Sequence, residues 1–176
     1  MDFYLQRALQ AIQHETSGMS PDQLGWHEEG KWSAAEILEH LSLTFTSTSK
    51  AMESFNVEGS ASRKAPTLKQ RLIRRIVVDW GYFPSGRSAP DFTRPKGLPP
   101  DRAVATICQD IAEMDEKIEA CERKYGNNWL GKHPILGPFR PKHWRKFHYV
   151  HTCHHMKQIA RLRELQRNRG TMKAGA

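Results

Sequence analysis

From Pro141 to Leu165 the chain sets a large or ring-bearing side chain at almost every third or fourth position: Trp144, Phe147, His148, His151, His155, Gln158, Leu162. A helix, at about 3.6 residues per turn, is what gathers such a series onto one face. The centre of that face is imidazole, not hydrocarbon. His151 and His155 stand four apart, one above the other, so their rings aim at the same region of space. An inward polar group without a partner costs roughly 1–3 kcal/mol, so a pair of them at core depth calls for hydrogen bonds, buried water or a metal ion.

The same spacing organises the rest of the chain. Phe3, Leu5, Leu9 and Ile12 predict a helix over 2–14, broken by the run Ser17-Gly18-Met19-Ser20-Pro21. Residues 21–31 read as a connector anchored by Trp26. Ser33 and Glu36 then supply a capping box for a second long helix over 34–55. Leu68, Leu72, Ile76 and Trp80 predict a shorter helix over 67–80. The segment 81–100, rich in proline and glycine, reads as an irregular loop, and loops of that length in a compact domain are more often functional than ornamental. Val104, Ile107, Ile111, Met114 and Ile118 mark a third long helix from Pro100 to the Gly126-Asn127-Asn128 stop. Residues 129–140 read as a loop, and Pro141 suits the first turn of the closing helix. No strand alternation, repeat or low-complexity tract appears. The expected fold is all-α: an antiparallel four-helix bundle with one additional short helix and long connecting loops, forming a single domain over 1–168 with a flexible tail at 169–176.

A chain of 176 residues can bury one core without staples. Its three cysteines, Cys108, Cys121 and Cys153, are odd in number and lack C-x-x-C spacing, so a reducing cytoplasm is expected rather than a disulfide framework. No apolar run approaches the roughly 18 residues a membrane span requires, and no membrane partner is expected. The formal charge of +8 raises nucleic acid as a partner. The basic run Lys157, Arg161, Arg163, Arg167 and Arg169, however, closes a helix, where cations favour the negative end of the macrodipole. A DNA-associated protein therefore rests on charge alone, and nucleic acid is not the expected partner.

A third ligand for the His151/His155 pair should come from a facing helix, and His40, flanked by apolar Ile37 and Leu43, is the candidate. Three imidazoles leave a coordination position open, the pattern of a catalytic centre rather than a structural one. An ordinary hydrogen-bonded core histidine remains the alternative for each ring.

The stretch Trp32-Ser33-Ala34-Ala35-Glu36-Ile37-Leu38-Glu39-His40-Leu41 resembles the W-S-x-x-E-x-x-x-H-L motif of the DinB-like, or YfiT-like, superfamily of metal-dependent hydrolases and thiol transferases. His151-x-x-x-His155-x-x-Gln158-Ile159 is similar to that superfamily's closing H-x-x-x-H-x-x-Q-[IL]. The connectors Phe83 to Pro90 and His133 to Pro138 look like those of an uncharacterised subgroup. The resemblance implies a four-helix bundle and a His40, His151, His155 metal triad holding zinc or nickel. It also implies activation of a low-molecular-weight thiol, or of water, for reaction with a small molecule. A non-catalytic metal-binding or stress-response bundle is the alternative. Within this frame Gln158 would orient the His155 ring, His148 would line the pocket mouth, and Trp32 would anchor the helix entrance beside the pocket. His154 falls about 100° round the helix, at the surface or behind the ligands. Arg87 and Arg140, in the two loops, are the expected contacts for an anionic substrate, and a homodimer is compatible with an apolar outer stripe.

Overall fold

Asp2 starts the first helix by accepting the Tyr4 N–H at 2.8 Å, and α1 (Phe3–Thr16) buries Leu5, Ala8 and Ile12. A computed structural model of the chain describes residues 1–58, 65–83, 89–133 and 135–174, the side chains of 58 and 170–174 excepted. Among the described residues the protein is mostly helical, with six α-helices and one small two-stranded sheet.

Between α1 and the next long helix lies α2 (Pro21–Gly25), a short helix where the sequence suggests only a connector. Its signal was present: Ser20 and Gln23 form a reciprocal capping box, with Pro21 in the first turn. A helix of five residues is too short to display an apolar stripe, so periodicity passes over it. The second expected capping box is also formed. Glu36 Oε2 accepts the Ser33 N–H at 2.7 Å while Ser33 Oγ accepts the Glu36 N–H at 3.1 Å, which opens α3 (Ala34–Glu58). Next comes α4 (Leu68–Arg74), capped by Thr67 and Gln70, which widens into a π-helical turn at Arg75–Asp79.

A 3-10 turn at Asp91–Thr93 precedes α5 (Pro100–Tyr125), which ends on Gly126 at φ 64°. The loop expected over 129–140 is instead a hairpin, β1 (Leu130–His133) paired antiparallel with β2 (Gly137–Phe139). Strands of four and three residues show at most one alternation, and an irregularity between Leu130 and Lys132 disturbs even that, so no period-2 signal exists to be read. Gly137, at φ 78°, is favoured by its backbone conformation, and a Cβ there would also fall 2.5 Å from the Gln70 amide carbon, which would have to move aside. The closing helix, α6 (Pro141–Ala174), runs through most of the span that the sequence assigns to a tail.

Helix α3 packs along α5, and α1 along α6, with α6 also meeting α3 and the π turn. Leu38, Leu41 and Phe45 of α3, Ile107, Ile111 and Ile118 of α5 and Ile159 of α6 are fully buried in the shared core. One end of that core is tied by charge. Arg145 of α6 donates from Nε to Asp115 at 2.9 Å and from Nη1 to Glu122 at 2.6 Å, and the second Asp115 oxygen accepts the Asp2 N–H at 2.7 Å. Further along α6, Arg163 donates to the carbonyls of His14, Glu15 and Ser17, the unpaired carbonyls at the end of α1. Among the described residues no helix is long and apolar enough to cross a membrane.

Candidate metal centre

The facing of α3 and α6 brings His40, His151 and His155 together. One ring nitrogen from each lies within 4.8 Å of the others, and all three residues are buried. The two on α6 have their Nε2 atoms 3.1 Å apart, as i,i+4 stacking dictates. His40 is fixed from behind: its Nδ1 lies 2.8 Å from the Thr93 carbonyl oxygen, which can only accept, so Nδ1 carries the proton and Nε2 offers its lone pair. His155 is held alike, with Nδ1 at 2.9 Å from Gln158 Oε1. His151 Nδ1 is buried without a partner. The His151 ring packs against Phe147 and Phe83, with centroids 5.5 and 5.4 Å away and ring planes 17° and 28° apart.

Each ring is kept neutral. Burial drives the His155 pKa down to about 3, with the His40 ring adding to the effect and the Gln158 hydrogen bond opposing it. His151 falls well below the ordinary value, through burial first and then its histidine neighbours, while burial lowers His40 against the opposing Thr93 hydrogen bond. No carboxylate figures among the groups that shift these three rings.

The His151 and His155 pair has the spacing of two ligands on one divalent transition ion, and His40 offers a third nitrogen within 4.8 Å. Two nitrogens on a tetrahedral zinc, each bonded at 2.0–2.1 Å, stand about 3.3 Å apart, close to the 3.1 Å between His151 and His155. Neutral imidazoles with Nδ1 bound to carbonyl-type acceptors are the usual metal-ligand form. Without a cation, either two lone pairs face each other across that gap, or His151 Nε2–H donates across it and leaves the buried His151 Nδ1 lone pair without a donor.

The remaining expected site residues divide. Gln158 does touch His155. Trp32 is half-buried beside His40, centroid to centroid 5.2 Å. His148 is not at a pocket mouth: it is 1 % exposed, stacked on Phe45 at 4.5 Å, with Nε2 3.0 Å from Thr48 Oγ1. Three residues back from His151, its side chain is turned about 60° round the helix, into the core beside α3. His154 is half-buried against Phe83, at 5.1 Å. Arg140 is not beside the triad either. It stacks over Trp129 at 4.7 Å, and eleven residues of helix, about 16 Å of axial rise, separate it from His151. Arg87 lies outside the described residues.

Sequence reasoning missed the residues that support the site. Glu39, next to His40, is 7 % exposed and accepts the backbone N–H groups of Lys96, Gly97 and Leu98 at 2.8, 3.1 and 2.9 Å. It fastens to α3 the segment that carries the Thr93 carbonyl. A cleft of about 710 Å³ opens beside the triad, with Lys31, Trp32, Ile37, Arg94, Gln158 and Arg161 in its walls. Trp32 and Gln158 thus touch a triad histidine and also line the cleft.

Over residues 5–162 the chain matches the family described as "Protein of unknown function (DUF1569)", and it belongs to that family. No curated protein and no solved structure matches it.

Proposed function

We propose that this DUF1569 protein is a metal-dependent enzyme of the DinB-like kind, with α1, α3, α5 and α6 as its antiparallel bundle and His40, His151 and His155 as the ligands of one zinc or nickel ion. The observation that carries the reading is the convergence of three neutral imidazoles, two with Nδ1 tied to an oxygen acceptor, at a point with no carboxylate or thiolate among the described residues to complete the set. A three-ligand set leaves room for an exchangeable fourth ligand. A divalent ion held there would lower the pKa of a coordinated thiol or water and so supply a nucleophile at neutral pH.

The protein's own groups do the rest. Thr93 and Gln158 fix the ring orientations of His40 and His155. Phe83 and Phe147 together shield one side of His151 from water, and burial keeps all three rings unprotonated and ready to bind. A small molecule reaches them from the cleft, past Trp32. The free state of Cys108, Cys121 and Cys153 suits a reducing cytoplasm, where low-molecular-weight thiols are abundant.

Elemental analysis of untagged protein beside the His151→Ala variant tests the reading. Near one equivalent of zinc or nickel, lost in the variant, is expected. Equal metal in both, or none in either after reconstitution, removes the proposal.

A further inference from the structure

We infer that the cleft between the α3 entrance and α6 binds a small organic anion, a carboxylate or phosphate on a flat apolar body, with Arg161 and Lys31 reading the charge and Trp32 the body. That the far end of this ligand meets the three histidines rests on the metal-centre reading; the anion site itself does not.

At about 710 Å³ the cleft is of the size that holds a small metabolite. Its charges are unevenly committed. Arg161 and Lys31 have no ion-pair partner among the described residues. Arg94 stands 3.3 Å from Asp91 and is partly neutralised by it. Two carboxylates also line the cleft, Glu28 and Glu36, the latter accepting the Ser33 N–H, so the wall sets three cations against two anions. The apolar part of the wall is Trp32, Ile37, Pro95 and Leu162, an aromatic face beside aliphatic groups. A ligand that satisfies both halves is amphipathic and negative.

The α6 ladder sets its length. His155, Gln158 and Arg161 follow one another at intervals of three, so Arg161 lies about 9 Å along the axis from His155 and about 120° round it, with Gln158 between them in both senses. A molecule whose anion is paired with Arg161 and whose ring lies on Trp32 extends its other end toward the histidines.

Phenyl phosphate, benzoate and neutral benzyl alcohol are suitable probes, titrated while the Trp32 indole N–H is followed by NMR and assigned with Trp32→Phe. We expect saturable shifts with at least one anion, and the tighter of the two identifies the charged group that fits. Benzyl alcohol should bind about tenfold more weakly, as should the better anion to Arg161→Ala, the value of one charge-assisted hydrogen bond. Lys31→Ala should weaken binding less, and the remote Arg140→Ala not at all. Equal binding of the alcohol overturns the inference, as does unchanged affinity in the Lys31→Ala/Arg161→Ala double variant. Metal content, measured on the same samples, separates the two readings. Anion binding that persists in chelator-stripped protein supports the cleft whatever the histidines hold, and metal-loaded protein that binds neither anion removes the cleft alone.

Discussion

Two of the polar groups that helix α6 buries solve the same problem in opposite ways. Near its start Arg145, 8 % exposed, keeps its charge: burial works against the guanidinium, but the hydrogen bonds it donates to Glu122 and Asp115 outweigh it and raise the pKa. Nearly two turns on, His151, 9 % exposed, has only other imidazoles and two phenyl rings for company and stays uncharged. The first cluster is complete, since every charge is answered from within the chain. The second has no counter-charge of its own among the described residues, and the proposed metal ion would supply one. On that proposal, burial without an internal counterpart marks the site better than burial alone.

The contrast can be broken most forcefully at the charged end. Asp115→Ala leaves the guanidinium without its better-buried partner, and breaking a buried pair in this way costs about 3–5 kcal/mol. Urea unfolding should show that loss equally with zinc and with chelator. The histidine end should respond to metal instead. Free zinc at about 100 times its Kd should stabilise the fold by about 2.7 kcal/mol, an increment kept in Asp115→Ala and absent in His151→Met. Zinc stabilisation that survives in His151→Met would erase the distinction between the clusters.

Acid offers a smaller test of how the imidazoles are kept neutral. Burial first, and then the His133 ring, push His148 down to about 3 from the ordinary 6.5. The unfolded chain thus accepts a proton that the folded chain refuses. The stability is whole above pH 6.5 and is lost as the pH falls toward 3. At pH 5 the loss is about 2 kcal/mol for this group, so the difference in unfolding free energy between pH 7 and pH 5, read from urea titrations, should shrink in His148→Met by that much. An unchanged pH difference would show that His148 is protonated inside the fold. The smallest effect is expected at Gln158→Ala, which frees the His155 ring: zinc affinity should drop about tenfold, read by competition with a chromophoric chelator, with little change in unfolding.

Sequence periodicity located the four long helices because each has an apolar face many turns long, and it placed His40, His151 and His155 because those residues occupy that face. Interactions made by backbone atoms left no such trace. The Thr93 carbonyl that orients His40 has no side-chain signature, and Glu39 looks like any helix acid until the segment it holds is folded against it. Arg140 and Arg161 show the same limit from the other side. Both are cations near a helical motif, and only the course of α6 tells that one lies at its start and the other beside the cleft.

Because Arg145, His151, His155, Gln158 and Arg161 all project from one unbroken helix, their mutual angles are set by residue count alone. Inserting or deleting a single residue between 145 and 161 would swing everything beyond it by about 100° and slide it about 1.5 Å, pulling the ion pair, the triad and the cleft out of mutual alignment. Divergent members of the family are then free to change many side chains along this stretch, but they should align across it without a gap.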